Sequence, residues 1–310
     1  MTMSVRTKAF AGVAGAALAL LGTAAPAQAA PTKNDTSVSV GRLVLDPSDR
    51  GYHGTLPVTV RYRGTQVGYL QVTVLEPTPG SFDGVLPQQP CFFGSTSPNR
   101  TLVCEIPGGG LQPGENRTFD LAFTVLTTAR SYPMVATGGR VAVNAGDGNP
   151  ANDTAKFDAL FRSTSGSLRN PRPYVRNLVT DATVTAGSAT LVRQPDGSYL
   201  GSVPVTIRYR NDAPQSDVEL ETNLPAGVEL RGIEPQDVCV GGWCAVPGGG
   251  FMPGEERTVT LKLYAEPGTV AGPLGTGTTT LHVRYDNQDL PDVDPSDNSA
   301  PFTVTAVDAG

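Results

Sequence analysis

Gly54-Thr-Leu-Pro-Val-Thr-Val-Arg-Tyr-Arg63 returns 147 residues later as Gly201-Ser-Val-Pro-Val-Thr-Ile-Arg-Tyr-Arg210. In each copy the apolar residues fall on every second position: Val58, Val60 and Tyr62 in the first, Val205, Ile207 and Tyr209 in the second. Between them stand Thr59, Arg61 and Arg63, or Thr206, Arg208 and Arg210. A period of two places the two sets on opposite faces of an extended strand, so the stretch reads as a half-buried β-strand. Pro57 and Pro204 lie just inside it, where a missing N–H predicts an edge strand or a strand start.

Two more blocks repeat in the same order. Cys104-Glu-Ile-Pro-Gly-Gly-Gly-Leu-Gln-Pro-Gly-Glu115 matches Cys244-Ala-Val-Pro-Gly-Gly-Gly-Phe-Met-Pro-Gly-Glu255, and both continue with Arg-Thr. Asp147-Gly-Asn-Pro-Ala-Asn-Asp153 matches Asp292-Val-Asp-Pro-Ser-Asp-Asn298. The offsets of 147, 140 and 145 change loop lengths and keep the frame, so the chain is a duplication. Each half carries about seven short alternating segments with turn signals between them and no helical period, which predicts an all-β fold of two tandem immunoglobulin-like antiparallel β-sandwiches. The boundaries read as residues 32–162 for the first repeat, 163–176 for a linker and 177–310 for the second. Arg169, Arg172 and Arg176 fall in that linker, where solvation is the simpler reading than binding an anionic polymer.

Residues 1–29 read as a secretory signal peptide: Arg6 and Lys8, an apolar run from Ala9 to Leu21, then Ala27-Gln28-Ala29 as the cleavage site. The run is shorter than the roughly 20 residues a bilayer span needs, so no stable membrane insertion is expected. The net charge of -6 becomes -8 once those two cations leave, which argues against a nucleic-acid partner. Gly (36) and Pro (27) make up about a fifth of the 310 residues, turn-rich but short of a low-complexity chain. The expected location is outside the cell.

Three blocks (Asn223-Leu224-Pro225-Ala226-Gly227-Val228, Pro253-Gly254-Glu255 and Asp294-Pro295-Ser296-Asp297-Asn298) together resemble the DUF11/CARDB-type bacterial surface repeats. The first repeat keeps Pro113-Gly114-Glu115 and has a longer loop, Ser81–Pro98, in place of the Leu-Pro-Ala-Gly block. The resemblance implies extracellular sandwich modules that bind, adhere or space. Its motifs are turns, which speak to fold more than to function.

Four cysteines fall two per repeat, Cys91 with Cys104 and Cys239 with Cys244. In an exported chain an even count reads as disulfides, and pairing within each repeat is expected because each unit should fold alone. Trp243, inside the second cysteine pair, and Phe92 and Phe93, just after Cys91, are the aromatic candidates for ligand contact. Each has two readings: stacking on a sugar ring, or covering the end of the sandwich. Asp286, Asp289, Asp292, Asp294 and Asp297 form an acidic run whose oxygens suit calcium, or serve a solvated turn in which carboxylates bind nearby backbone N–H groups. No other cofactor is indicated.

Catalysis has thin support. The two histidines, His53 and His282, are far apart, and no nucleophile-elbow, zinc-protease, phosphate-loop or dinucleotide motif occurs. The expected function is therefore a secreted, non-enzymatic binding, adhesion or spacer protein whose partner is a cell-wall polysaccharide or an extracellular protein. The rival is a secreted hydrolase or inhibitor with an unrecognised site. Four Asn-x-Thr sequons, at Asn34, Asn99, Asn116 and Asn152, all lie in the first repeat and matter only in a glycosylating host.

Overall fold

Both copies of the repeated block are strands, but neither is an edge strand. In the computed structural model, which describes residues 35–95 and 100–308, the first copy lies in β3 (Gly51–Tyr62). It runs antiparallel to a long partner over Tyr52–Arg61 and meets two short strands in turn on its other side. Those two are β1 (Thr36–Val40) and β2 (Leu43–Ser48). Pro57 sits where β1 has ended and β2 has not yet paired, so its missing N–H costs no ladder bond, while its carbonyl accepts from Gly41 N at 2.7 Å. Pro204 repeats the arrangement, accepting from Gly187 N at 2.9 Å. The glycine that opens each block has its own reason. A Cβ at Gly54 would stand 2.1 Å from the Val44 carbonyl oxygen, and one at Gly201 2.2 Å from that of Thr190.

The first sandwich continues with β4 (Gln71–Leu75), β5 (Phe82–Leu86), β6 (Cys91–Ser95), β7 (Thr101–Glu105), β8 (Asn116–Val125), β9 (Met134–Val143) and β10 (Thr154–Phe161). One layer is β1, β3, β8 and β5; the other is β10, β9, β4, β7 and β6; β2 joins them by pairing with β3 and, in parallel, with β10. After β11 (Arg172–Pro173), which pairs with β9, the second sandwich repeats the order. Its strands are β12 (Ala182–Ala186), β13 (Ala189–Arg193), β14 (Tyr199–Tyr209), β15 (Asp217–Asn223), β16 (Val228–Glu234), β17 (Cys239–Val240), β18 (Trp243–Ala245), β19 (Glu255–Ala265), β20 (Gly272–Tyr285), β21 (Gln288–Asp289) and β22 (Ser299–Val307). Each half has its own core, one around Leu43, Leu56, Leu121 and Phe161, the other around Leu191, Val205, Leu220 and Leu261. The expected immunoglobulin-like pair of sandwiches is what forms. The signal segment and the sequons at Asn34 and Asn99 lie outside the described residues. Among the described residues no helix is long and apolar enough to cross a membrane.

The longest repeated block is a structural buckle. Arg117 reaches across the glycine loop before it, donating to the carbonyls of Pro107 (2.9 Å) and Gly109 (2.6 Å), while Glu115 accepts from its Nε at 2.8 Å. Arg257 makes the same bonds to Pro247 (3.1 Å), Gly249 (2.6 Å) and Glu255 (2.6 Å), and also lies 3.8 Å from the ring centre of Phe251. Loop carbonyls with no ladder partner must find donors, and one guanidinium supplies several.

The described residues all fall in one compact unit, so the two sandwiches are joined as well as linked. At the centre of the joint the Glu76 carboxylate is wholly buried. It accepts from Gly80 N (3.0 Å), Phe82 N (2.8 Å), Arg100 Nη2 (2.9 Å) and, from the second repeat, the Tyr285 hydroxyl (2.8 Å). Burial holds the Tyr285 hydroxyl in its neutral, donating form by raising its pKa, with Glu76 adding to the effect. Arg50 donates to the Gly250 carbonyl at 2.5 Å. Arg176 corrects the expectation of a solvated linker. Arg169 and Arg172 are exposed, but Arg176 is 5% exposed and bridges the halves, donating to Pro79 O (2.7 Å), Gly80 O (3.2 Å) and Asp212 O (2.5 Å).

Candidate functional site

Of the loop expected over Ser81–Pro98, the described part contains two strands, β5 and β6. The period-two signal fails in β5 because a bulge shifts its register against β8 between Phe82 and Gly84, and Gly84 takes a φ of 152°. These two strands end their respective layers, and the sandwich is open between them. A groove of about 410 Å³ runs there. Phe82, Val85, Leu86, Phe93 and Leu102 supply its apolar surface, with Asp83, Gln88, Gln89 and Arg100 as its polar groups.

The Cys91–Cys104 disulfide fixes one wall of this groove, its Cα atoms 4.1 Å apart across the β6–β7 pair. Phe92 and Phe93 follow Cys91, and alternation along β6 turns Phe93 into the groove and Phe92 away from it. Both rings are open to solvent, 59% and 53% exposed. Phe93 is held from one side by the Arg100 guanidinium, 5.5 Å from its ring centre. Rigid backbone and exposed aromatic surface coincide here.

The second repeat has a groove at the same place, about 620 Å³, with a different lining: Arg231, Glu234, Gln236, Asp237 and Lys262. Lys262 pairs with Glu234, and Arg231 stacks on Tyr264 at 4.1 Å. The Cys239–Cys244 disulfide closes a much shorter hairpin, turned by Gly241 and Gly242, both at positive φ. Trp243 stands on the outer face of this sheet, half-buried. Its ring centre is 4.6 Å from that of His282 and 5.0 Å from the Arg284 guanidinium.

Around Trp243 the charges interlock. His282 Nε2 faces Glu221 at 3.3 Å and Nδ1 faces Asp289 at 3.1 Å; Arg284 donates to Asp289 (2.9 Å) and to Glu219 (2.6 Å). Burial disfavours an ionised Asp289, but the bonds from Arg284 and His282 outweigh it and hold the carboxyl below its ordinary range. The cluster braces the tryptophan. Among the described residues, the ring nitrogens of His282 bond carboxylates and no hydroxyl or thiol. His53 lies exposed on β3.

The acidic run is not gathered into one site. Asp289 serves His282 and Arg284. Asp292 accepts from Thr180 Oγ1 (2.6 Å), Ala182 N (3.1 Å) and Asp294 N (2.9 Å). Asp294 caps the short 3₁₀ turn at Pro295–Asp297, accepting from Ser296 N at 3.2 Å. Asp286 sits at positive φ in the β20–β21 turn, and Asp297 lies 3.9 Å from Arg210. Among the described residues no group of three or more His, Cys, Asp or Glu is arranged to hold a metal ion. The backbone-binding reading accounts for Asp292 and Asp294.

Sequence reasoning missed the Glu76 network, though a signal was present. Val72, Val74 and Glu76 occupy successive inward positions, and a carboxylate in that series needs buried donors. Nothing in the sequence pointed to Arg100 or Tyr285 as the donors.

No family model and no curated protein matches the chain. Solved structures similar to it include CfaE, the adhesive subunit of the CFA/I fimbria of enterotoxigenic Escherichia coli. That match has 11% identity and a TM-score of 0.28, over 90% of this chain and 88% of that one. The CupB6 tip adhesin from Pseudomonas aeruginosa is similar at 10% identity and TM-score 0.25, over 90% and 99%. The collagen adhesin of S. aureus is similar at 8% identity and TM-score 0.21, over 90% and 95%.

Proposed function

We propose that this chain is an exported, non-enzymatic binding protein that holds its ligand at the open edge of the first sandwich. One observation carries the reading: Phe92 and Phe93 stay exposed on a strand that a disulfide fixes, beside an apolar groove with its own hydrogen-bonding groups. Large exposed aromatics on rigid backbone lose little entropy when a ligand covers them. Two disulfides support an oxidising compartment, and the signal segment supports export. The resemblance to DUF11/CARDB-type surface repeats is part of this proposal. The groove suits a strand of cell-wall polysaccharide, whose sugar faces stack on aromatic rings while its hydroxyls bond to Gln88, Gln89 and Arg100.

The test is co-sedimentation of the chain with insoluble cell wall, chitin and cellulose. Wild type should pellet saturably, and Phe92→Ala/Phe93→Ala should lose about tenfold or more in affinity, as removal of aromatic contacts does at binding hot spots. Loss with Trp243→Ala instead would move the site to the second repeat. No pelleting with any polymer would overturn the polysaccharide reading and favour an extracellular protein as partner.

A further inference from the structure

We infer that the cleft between the two repeats is a second binding site, for an acidic polysaccharide. The cleft has a volume of about 610 Å³, within the range of small-molecule and oligosaccharide sites. Arg130 and Tyr132, from the β8–β9 connection, and Arg172 and Tyr174, from the linker, make one wall. Arg210 and Asp212 of the second repeat make the other. It exists only because the repeats are joined.

Its charge is the argument. Arg130 and Arg172 are exposed, and among the described residues neither guanidinium has a carboxylate partner. Arg172 lies over Tyr132, 4.1 Å from the ring centre, and among the described residues its guanidinium donates no hydrogen bond. Arg210 is already engaged, with Asp181 at 3.1 Å and Asp297 at 3.9 Å, and adds little. Asp212 is the acid of the cleft, and its oxygens are occupied. Oδ2 accepts from Thr127 Oγ1 (2.9 Å) and the Tyr174 hydroxyl (2.8 Å), and Oδ1 accepts from Asn177 Nδ2 (3.1 Å). An anion entering the cleft therefore meets two unpaired guanidiniums on a protein whose net charge is -6.

Guanidinium forks bind carboxylate and sulfate alike, through paired N–H donors. A sugar ring can pack against the Tyr132–Arg172 pair, with its anionic group paired to the guanidiniums.

The experiment is isothermal titration of the purified chain with polygalacturonate, heparin and neutral dextran at low and high salt. Binding to polygalacturonate would identify a uronic carboxylate as sufficient, and binding to heparin without binding to polygalacturonate would identify a sulfate. Arg130→Ala/Arg172→Ala should weaken binding by about tenfold or more with its melting temperature unchanged, because two charge-assisted contacts are lost. Phe92→Ala/Phe93→Ala should bind these polymers as wild type does, which separates this site from the groove on the first sandwich. As a readout independent of mutation, bound polymer should slow amide exchange at 128–134 and 172–177. Equal binding of all three polymers, undiminished binding by the arginine variant, or protection confined to other regions would overturn the assignment.

Discussion

Arg117 and Arg257 close the same glycine loop with the same set of bonds, yet the two loops face different surroundings. The second loop is pressed against the first repeat: Gly250 takes a hydrogen bond from Arg50, and Leu126 leaves no room for a side chain there. The first loop faces away, beside Val67 and Tyr69, and Tyr69 is 84% exposed. The residues that the repeats share hold each sandwich together; those in which they differ decide what each end meets. Strand registers align Glu76 with Leu224, Arg50 with Gly197 and Thr127 with Pro267. At these three positions the far end of the second repeat lacks the side chains that the first uses at the joint. The edge grooves follow the same rule, apolar and aromatic in one repeat and charged in the other.

Breaking the joint should have the largest effect. Glu76→Ala takes the carboxylate away from the buried Arg100 and three further donors, at a cost of about 3–5 kcal/mol. In urea, far-UV circular dichroism should split into two steps, the later one coinciding with the fluorescence change of Trp243, which reports the second repeat alone. A single coincident transition would show that the joint holds without this carboxylate.

The disulfides sharpen the comparison next. Chain entropy scales with the loop enclosed, and the sequence separations are 13 and 5. Replacing Cys91 and Cys104 by alanine should cost about 3 kcal/mol, and replacing Cys239 and Cys244 about 2 kcal/mol, read from denaturation midpoints. Phe92 and Phe93 should also become more mobile in the first variant, and polymer pelleting should weaken with it.

The buckles come third. Arg117→Ala should cost about 1–2 kcal/mol through its lost carbonyl bonds. Arg257→Ala should cost more, because it also loses the Phe251 stack and loosens the loop that carries the joint. Equal losses would mean that the second loop gains nothing from its neighbour.

The smallest expected effect concerns the matched turns at the end of each repeat. Burial raises the pKa of Asp153, as do Asp147 and Asp35; burial likewise raises that of Asp297, with Asp294 and Asp292 adding to it. A raised folded-state pKa means that the native state binds the proton more readily than the unfolded chain does. The contribution of these groups is thus most favourable below the ordinary carboxylate pKa and is lost as pH rises through the raised value. At pH 7 Asp153→Asn should therefore raise the melting temperature by about 1 °C. Asp297→Asn should gain less, because Arg210 already offsets its charge. Both gains should vanish at pH 3.

Much of the scaffold was legible in the sequence because its causes are local. Val58, Val60 and Tyr62 announce a strand by spacing alone, and the duplicated Pro-Gly-Glu turns announce where β8 and β19 begin. The bulged strand at Phe82–Leu86 was not legible, since one extra residue erases the period of two. Phe92 and Phe93 stood out as candidates, but their exposure depends on where β6 docks. Trp243 stood out equally and is braced by His282 and Arg284, which lie about 40 residues further along the chain.

The sequence by itself determined two immunoglobulin-like sandwiches, a duplicated glycine-loop block in each and an even set of cysteines, because alternation, turn chemistry and composition act over a few residues. Only the tertiary structure decided that Arg176 is buried while Arg172 is free, that Glu76 receives Tyr285 from the other repeat, and that two unpaired arginines share one cleft. Those outcomes depend on which side chains approach across a joint between separately folded cores, and no spacing along one strand encodes that approach.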